Sequence, residues 1–509
     1  MKNIKIYKPI ALLMVAILIY GCEGFDELNV DPDQPVAVPA DYLLTSAQKG
    51  LADDFGDEWA SAHFSLLYSQ YWAQNAYPTE SRYQLRPGVN NTYWTLYYAG
   101  SNSSTQARGG IMDLQNSINL ASEIETDVAN NQVQVARIMK AWAFHNLVDI
   151  YGDVPYSQAL SGADVATPVY DDQREIYIDI LNELKEASEA IVSGVSISGD
   201  LIYNGDVDQW VKFANSLRLR VAMRASDVAD MQTLVQSSIT EAIAGGLIAS
   251  NADDALLSYQ TSAPNNNPLN EDRKTREDYA VSTTLIDLMN SMSDPRIGMY
   301  ADEVTNAPGT YTGMIYGLED NVANNTPVQD VSQPSGASDI AAGNGVYAAT
   351  FPYIFMAYSE VEFLLAEAAQ RNYTTGTPAT HYNSAIQASM DFWGVDATSA
   401  ASYISANPYD AADFRTSIGV QKWLAMYMQG HQSWAEWRRL DFGVLTMPAD
   451  GILVQGLTTI PTRRPYPTDE QTLNGANYSA AVASIGGSDD MSTRLFWDVS
   501  DNTVLPSPY

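Results

Sequence analysis

"QREIYIDILNELKEASEAIVSG", residues 173–194, sets Ile176, Ile180, Leu181, Leu184, Ala187 and Ile191 mostly at steps of three and four. That spacing lays one apolar stripe along a helix, with charged residues on the opposite side and Gly194 to end it. The same period recurs along the chain. "VQVARIMKAWAFHNLVDIYG" aligns Val135, Met139, Ala143 and Leu147, with Ile138 and Trp142 alongside; "DQWVKFANSLRLRVAMR" aligns Trp210, Phe213, Leu217 and Val221. "YSEVEFLLAEAAQR" and "IGVQKWLAMYMQGHQSW" read the same way, the second with Val420, Leu424, Tyr427 and His431 on one side. Weaker helices are expected near 41–54, 58–75, 230–245, 277–293 and 379–393. Alternating patterns are few and short, so the chain is mostly α.

Long irregular tracts separate the helices. Residues 259–276, "YQTSAPNNNPLNEDRKTR", and 294–350 are rich in Gly, Asn, Pro, Thr and Ser, and the tail from Pro448 is irregular too. Stretches this long in a compact protein are usually functional or disordered. No low-complexity linker divides the chain, so one large helical domain with decorated loops is expected. Paired helices suggest tetratricopeptide-like units, although no 34-residue period repeats cleanly.

Composition narrows the partners. Of 509 residues, 61 are Asp or Glu and 27 Lys or Arg, a formal charge of −34. Such a chain repels phosphate backbones, which argues against nucleic acid. There are 31 Tyr, 12 Phe and 10 Trp, so the amphipathic rings dominate. Tyr and Trp pair a flat apolar face with a polar edge, a good match to the C–H faces and hydroxyl rims of sugars, although wedging between helices is their commoner use.

A search for catalytic chemistry is negative. His63, His145, His381 and His431 fall into no metal-binding spacing, and His145 and His431 sit inside amphipathic helices, where core packing is expected. No nucleophile elbow, phosphate loop or dinucleotide fingerprint is present. Glu360, Glu362 and Glu367 are acids on one helix, for which a solvated or cap-bonded role is expected over a glycosidase pair. Arg218, Arg220 and Arg224 in "LRLRVAMR" are expected to pair with the surplus of acids rather than to hold an anion. Trp434 and Trp437, one turn apart before Arg438 and Arg439, read as a helix-packing pair ahead of a sugar platform. Neither an enzyme, a cofactor nor a metal centre is indicated.

The single cysteine, Cys22, falls in "LIYGCEGFDELNVDP" (18–32). Lys2, Lys5 and Lys8 precede the apolar run "IALLMVAILI" (10–19), too short to span a membrane and of the right length for a signal peptide. With Gly21 before Cys22 and Ile19 three before it, the pattern is that of a bacterial lipoprotein signal, with Tyr20 its one departure. Removal of residues 1–21 takes away three lysines and no acids, shifting the formal charge from −34 to −37. Acylated Cys22 would anchor the mature chain without a spanning segment.

The chain resembles the SusD/RagB superfamily of nutrient-binding lipoproteins. The resemblance rests on an ordered set: "CEGFDELNVDPDQP", "LVDIYGDVPYSQAL" (147–160), "WVKFANSLRLRVAMR" (210–224), "DPR" (294–296), "AYSEVEFLLAEAA" (357–369), "QKWLAMYMQGHQSWAEWRR" (421–439) and "IPTRRPYPTDEQTLNGANYSAA" (460–481). It implies a SusD-like fold, with tetratricopeptide-like helix pairs as scaffold and irregular loops as ligand face. It implies residues 22–40 as a lipidated tether whose Glu23, Asp26 and Glu27 act as an export tag, and 41–509 as one domain. It implies attachment to the outer face of the outer membrane, and a TonB-dependent SusC-like β-barrel transporter as partner. The cargo would be an oligosaccharide, with a peptide as the alternative and a surface glycoside hydrolase a more remote one. Amphipathic rings and polar neighbours in the segments that the family uses then point to Trp72 first, with Tyr71, Gln74, Asn75, Tyr77, Arg82, Tyr93, Trp94, Tyr311 and Tyr316 as ligand-binding residues.

Overall fold

The computed structural model describes residues 38–100, 102–103, 106–107 and 109–499; the leader, Cys22 and most of the expected tether lie outside them. The principal helices in chain order are α1 (Ala40–Gly56), α2 (Pro87–Ala99), α3 (Ile111–Ser122), α4 (Asp127–Tyr151), α5 (Gln173–Ala190), α6 (Val207–Arg224) and α7 (Gln232–Gly245). After a long irregular stretch come α8 (Tyr358–Gln370), α9 (Pro378–Phe392), α10 (Phe414–Ala425) and α11 (Gly430–Leu440). From α3 to α7 each helix packs mainly on its sequence neighbours, α1 lies on α3, and α8 packs on α9 and α10. Strands among the described residues form only two-stranded antiparallel ribbons, such as 72–74 with 279–281 and 255–257 with 353–356.

The apolar stripe of residues 176–187 is the buried side of α5: Ile176, Ile180, Leu181, Leu184 and Ala187 are all inside. Asp172 caps this helix by accepting from the backbone N–H groups of Arg174 and Glu175 at 2.9 and 3.2 Å. It ends at Ala190, four residues before Gly194.

Two segments expected to be single helices are not. Residues 58–75 begin as a π-helix, Glu58–Ser65, run through a single α-turn at Leu66–Tyr68, and then turn at Gln70 (φ 54°) into the strand Trp72–Gln74. Residues 277–293 begin with its partner strand, Tyr279–Val281, before a helix from Thr283 to Met292. A three-residue strand carries no detectable period of its own. Its geometry comes from pairing with a partner some 200 residues away, which local pattern cannot show. Gly430 starts α11 against this junction: a Cβ there would lie 2.5 Å from the Ser65 backbone, so only glycine permits the approach.

The middle of the molecule is charged. Arg439 donates to both oxygens of Glu367 at 2.6 Å and to Glu436 at 2.6 Å. Glu436 is also met by Lys422 at 3.0 Å and by Arg224. Arg220 forks onto Glu360 at 2.7 and 2.6 Å. All of these side chains are buried. The arginines therefore pair with acids as expected, but Glu360 and Glu367 are buried ion-pair partners rather than solvated acids. Glu362 binds His381 at 2.7 Å. His145 and His431 are in the core, as are Trp434 and Trp437. The Arg438 guanidinium lies 3.6 Å from the Trp434 ring centre. Burial alone would raise the Glu436 and Glu367 pKa values, but the surrounding cations win and hold both below the usual carboxylate range.

Removing one member of such a network strands the others in low dielectric. Glu367→Gln is expected to lower unfolding stability by about 3–5 kcal/mol at pH 7, read from urea denaturation. Arg415→Ala, at the more exposed rim where Arg415 meets Asp227 at 3.0 Å, should cost no more than about 1 kcal/mol.

Candidate functional site

The irregular tracts converge on one face, where backbone hydrogen bonds tie them together. The amide N–H of Asn75 donates to Asp278 O at 2.9 Å, and that of Ala449 to Tyr316 O at 2.9 Å. The amide of Leu453 donates to Arg82 O at 3.1 Å, and Glu319 N–H donates to the Asp450 carboxylate at 2.7 Å. Segments 75–86, 272–278, 311–320 and 446–454 are thus a connected surface, and Ile315, Met447 and Leu453 are exposed on it.

Most of the residues expected to grip a ligand there turn inward instead. Trp72 has no exposed surface: its Nε1 donates to Tyr427 Oη at 2.9 Å and its ring stacks on Tyr347 at 5.7 Å. Tyr71 is equally enclosed, donating to the Trp423 carbonyl and lying 2.6 Å from Ser433 Oγ. Gln74 is spent on Glu80 (3.0 Å) and on the Ser81 amide (2.9 Å), and Asn75 donates to Glu277 O at 2.7 Å. Tyr93 donates to Tyr97 Oη at 2.7 Å, Trp94 packs on Tyr151 and Tyr466, and Tyr316 donates to Leu67 O at 2.9 Å. The assignment of Tyr71, Trp72, Gln74, Asn75, Tyr93, Trp94 and Tyr316 to a ligand platform is therefore corrected: these seven are buried and bonded or packed inside the molecule. For Trp72 the antiparallel pairing of 72–74 with 279–281 sets the strand in place, and Tyr279, Tyr347 and Tyr427 cover the ring.

Three candidates remain at the surface. Tyr77 is 61% exposed on the loop after the strand, where its backbone is left-handed (φ 53°). Beside it sits Arg276, whose guanidinium lies 5.5 Å from the ring centre and donates through Nε to Asp278 at 2.8 Å. Arg82 is pinned by a bond from Nε to Gly451 O at 2.9 Å, and Tyr311 is half-buried. Arg276 and Asp278 were not singled out in the sequence; the one available signal was the charge-dense "EDRKTRED" (271–278) inside an irregular tract.

Under this corner Glu58 opens the π-helix. Burial, followed by its neighbour Asp272, pushes its carboxyl up to about 9, with Asp278 adding and Arg276 opposing. Burial pulls the adjacent His63 down. The 3.7 Å approach of His63 Nδ1 to Glu58 thus joins a neutral ring to a protonated acid, not two charges.

A family model named SusD-like and described as starch-binding, associating with the outer membrane, matches residues 32–467. The chain belongs to the SusD-like family. Among solved structures, a chitin-binding protein is 28% identical, covering 91% of this chain and 100% of its own, with a TM-score of 0.78. A chitin-binding SusD homolog from Flavobacterium johnsoniae is 24% identical over 91% of this chain and 98% of its own (TM-score 0.76). A SusD homolog from Bacteroides uniformis is 24% identical over 90% and 100% (TM-score 0.76). No curated protein matches. The SusD-like family is described by binding rather than turnover, and its fold is the helical one seen here. No described helix is long and apolar enough to cross a membrane, and no described group of three or more His, Cys, Asp or Glu could hold a metal ion.

Trp72→Ala should act as a core truncation, costing about 3–5 kcal/mol of stability in a denaturant titration. The raised Glu58 value has a pH signature. The folded state holds a proton that the unfolded state releases near its model value of 4.5, so this group's contribution to stability falls as pH rises from about 4.5 to about 9. Glu58→Gln, which cannot ionise, should flatten that decline, and the stability of the variant relative to the parent should be greater at pH 8 than at pH 5.

Proposed function

We propose that this chain is a cell-surface glycan-binding lipoprotein that partners a TonB-dependent SusC-like β-barrel transporter in nutrient uptake. Cys22 carries the lipid, residues 22–40 form the tether, and 41–509 act as a single helical domain whose loop face holds an oligosaccharide without altering it. The observation that carries this reading is the family match over residues 32–467 with its description as starch-binding at the outer membrane. The 28% identity to a chitin-binding protein makes chitin oligosaccharides the first ligands to test, ahead of starch fragments.

On the loop face Tyr77 supplies an open ring for the C–H side of a pyranose, while Arg276 and Asp278 beside it offer a donor and an acceptor for the hydroxyl rim. One such ring contributes on the order of 1 kcal/mol, so capture through one or two rings and a few polar contacts falls between micromolar and millimolar. That affinity holds cargo yet releases it to a transporter. Because the loops are already bonded to one another, little ordering is required on binding.

Isothermal titration with chitin and malto-oligosaccharides tests this. Tyr77→Ala is expected to weaken binding about fivefold or more while leaving the unfolding midpoint unchanged, since the side chain is outside the core. Unchanged affinity in that variant, or loss of the oligosaccharide with time, contradicts the proposal. Palmitate incorporation that disappears in Cys22→Ser tests the anchor.

A further inference from the structure

A groove of ≈ 760 Å³ opens on the helical scaffold between α3, α4 and α5, lined by none of the loop-face residues. Phe144 and Ile176 form its apolar floor. Along one wall α5 presents Glu175, Asp179 and Glu183 at successive steps of four residues, which is about 6 Å per step on a helix. The opposite wall carries Gln115 and Asn119 of α3 and Lys140 of α4.

The charges on these walls are unevenly satisfied. Glu183 is paired with Arg137 at 2.7 Å, and Asp179 accepts the Tyr156 hydroxyl. Glu175 has no ion-pair partner among the described residues. Lys140, the lone cation in the lining, donates to Gln115 Oε1 at 3.1 Å; burial lowers its pKa, with Glu183 working the other way. The groove is therefore net negative. Its two rings, Phe144 and Tyr156, pack edge-to-face at 4.7 Å, and neither is set as a flat sugar platform.

We propose that this groove takes an extended polypeptide segment bearing lysine or arginine at alternate positions. An extended chain rises about 3.3 Å per residue, so alternate side chains stand about 6.6 Å apart, close to the carboxylate spacing along α5. Its basic groups meet Glu175 and the carboxylates in line with it, while the side-chain amides of Asn119 and Asn182 face its peptide bonds; Gln115 is held between Asn119 (2.9 Å) and Lys140. The proposal is independent of the glycan reading, since the groove and Tyr77 share no residue.

Fluorescence anisotropy of the full mature chain with a labelled heptapeptide of alternating glycine and lysine tests it. Saturable binding is expected, with Glu175→Lys weakening it about tenfold or more. Glu189→Lys makes the same charge change on α5 outside the groove and should leave affinity within about twofold, as should Tyr77→Ala. Equal weakening by Glu175→Lys and Glu189→Lys would reduce the effect to bulk charge attraction and overturn the proposal. So would equal binding of the glutamate counterpart, or an absence of saturation. Displacement of the peptide by a neutral chitin oligosaccharide that Tyr77→Ala does not abolish would reassign the groove to carbohydrate.

Discussion

Arg439 on α11 is held between Glu367 of α8 and Glu436 of its own helix, and through Glu436 it reaches Lys422 of α10 and Arg224 of α6. The apolar core would form with many relative helix placements, because dispersion and burial are non-directional. A forked guanidinium–carboxylate contact in the interior tolerates few, since a displaced partner leaves a charge in low dielectric. The network thus fixes which helices meet and at what register, and the loop face inherits its positions from those helices.

The face it supports is built from two kinds of aromatic residue. Those that follow the π-helix and its short strand, Tyr71 and Trp72 above all, are turned in and hydrogen-bonded to α10 and its end. They make a stiff floor. Tyr77, past the left-handed turn, is the ring left standing outward. A rigid floor with a sparse upper layer suits a binder with reversible capture: preorganisation limits the entropy lost on binding, and few contacts keep release fast.

The helices were legible because a 3.6-residue period is a local property, and Ile176 to Ala187 show it without help from the rest of the chain. The pairing of Arg220 and Arg224 with acids was legible from charge balance alone. The inward turn of Trp72 was not, since an amphipathic ring at the end of a helical stripe has the same local pattern whether it caps a core or lines a site. What decides is the company of Tyr347 and Tyr427, more than 270 residues on. The burial of Glu360 and Glu367 was hidden for a similar reason: their partners Arg220 and Arg439 lie on other helices. Arg464 shows the limit most sharply. Beside Arg463 in the sequence it looks like a surface cation, yet it is enclosed with its guanidinium 4.3 Å from the Phe64 ring centre and 4.7 Å from that of Tyr93.

The charged interior also bears on how the chain reaches its native state. Glu367 and Arg439 are 72 residues apart, Arg224 and Glu436 are 212 apart, and Arg438 bonds the Asp149 carbonyl across 289. None of these bonds can form until the C-terminal helices have been made and have returned to the earlier ones. Contact order this high slows the search for the native topology, because the closure of long loops must come before the contacts that reward it. Until α8 and α11 dock, buried Arg220 lacks its carboxylate, Glu360, and Arg224 has Asp149 at 3.3 Å but not Glu436. The early helices thus gain their full set of counter-charges only when the last-made helices return to them, which makes the C-terminal part a condition for the whole interior.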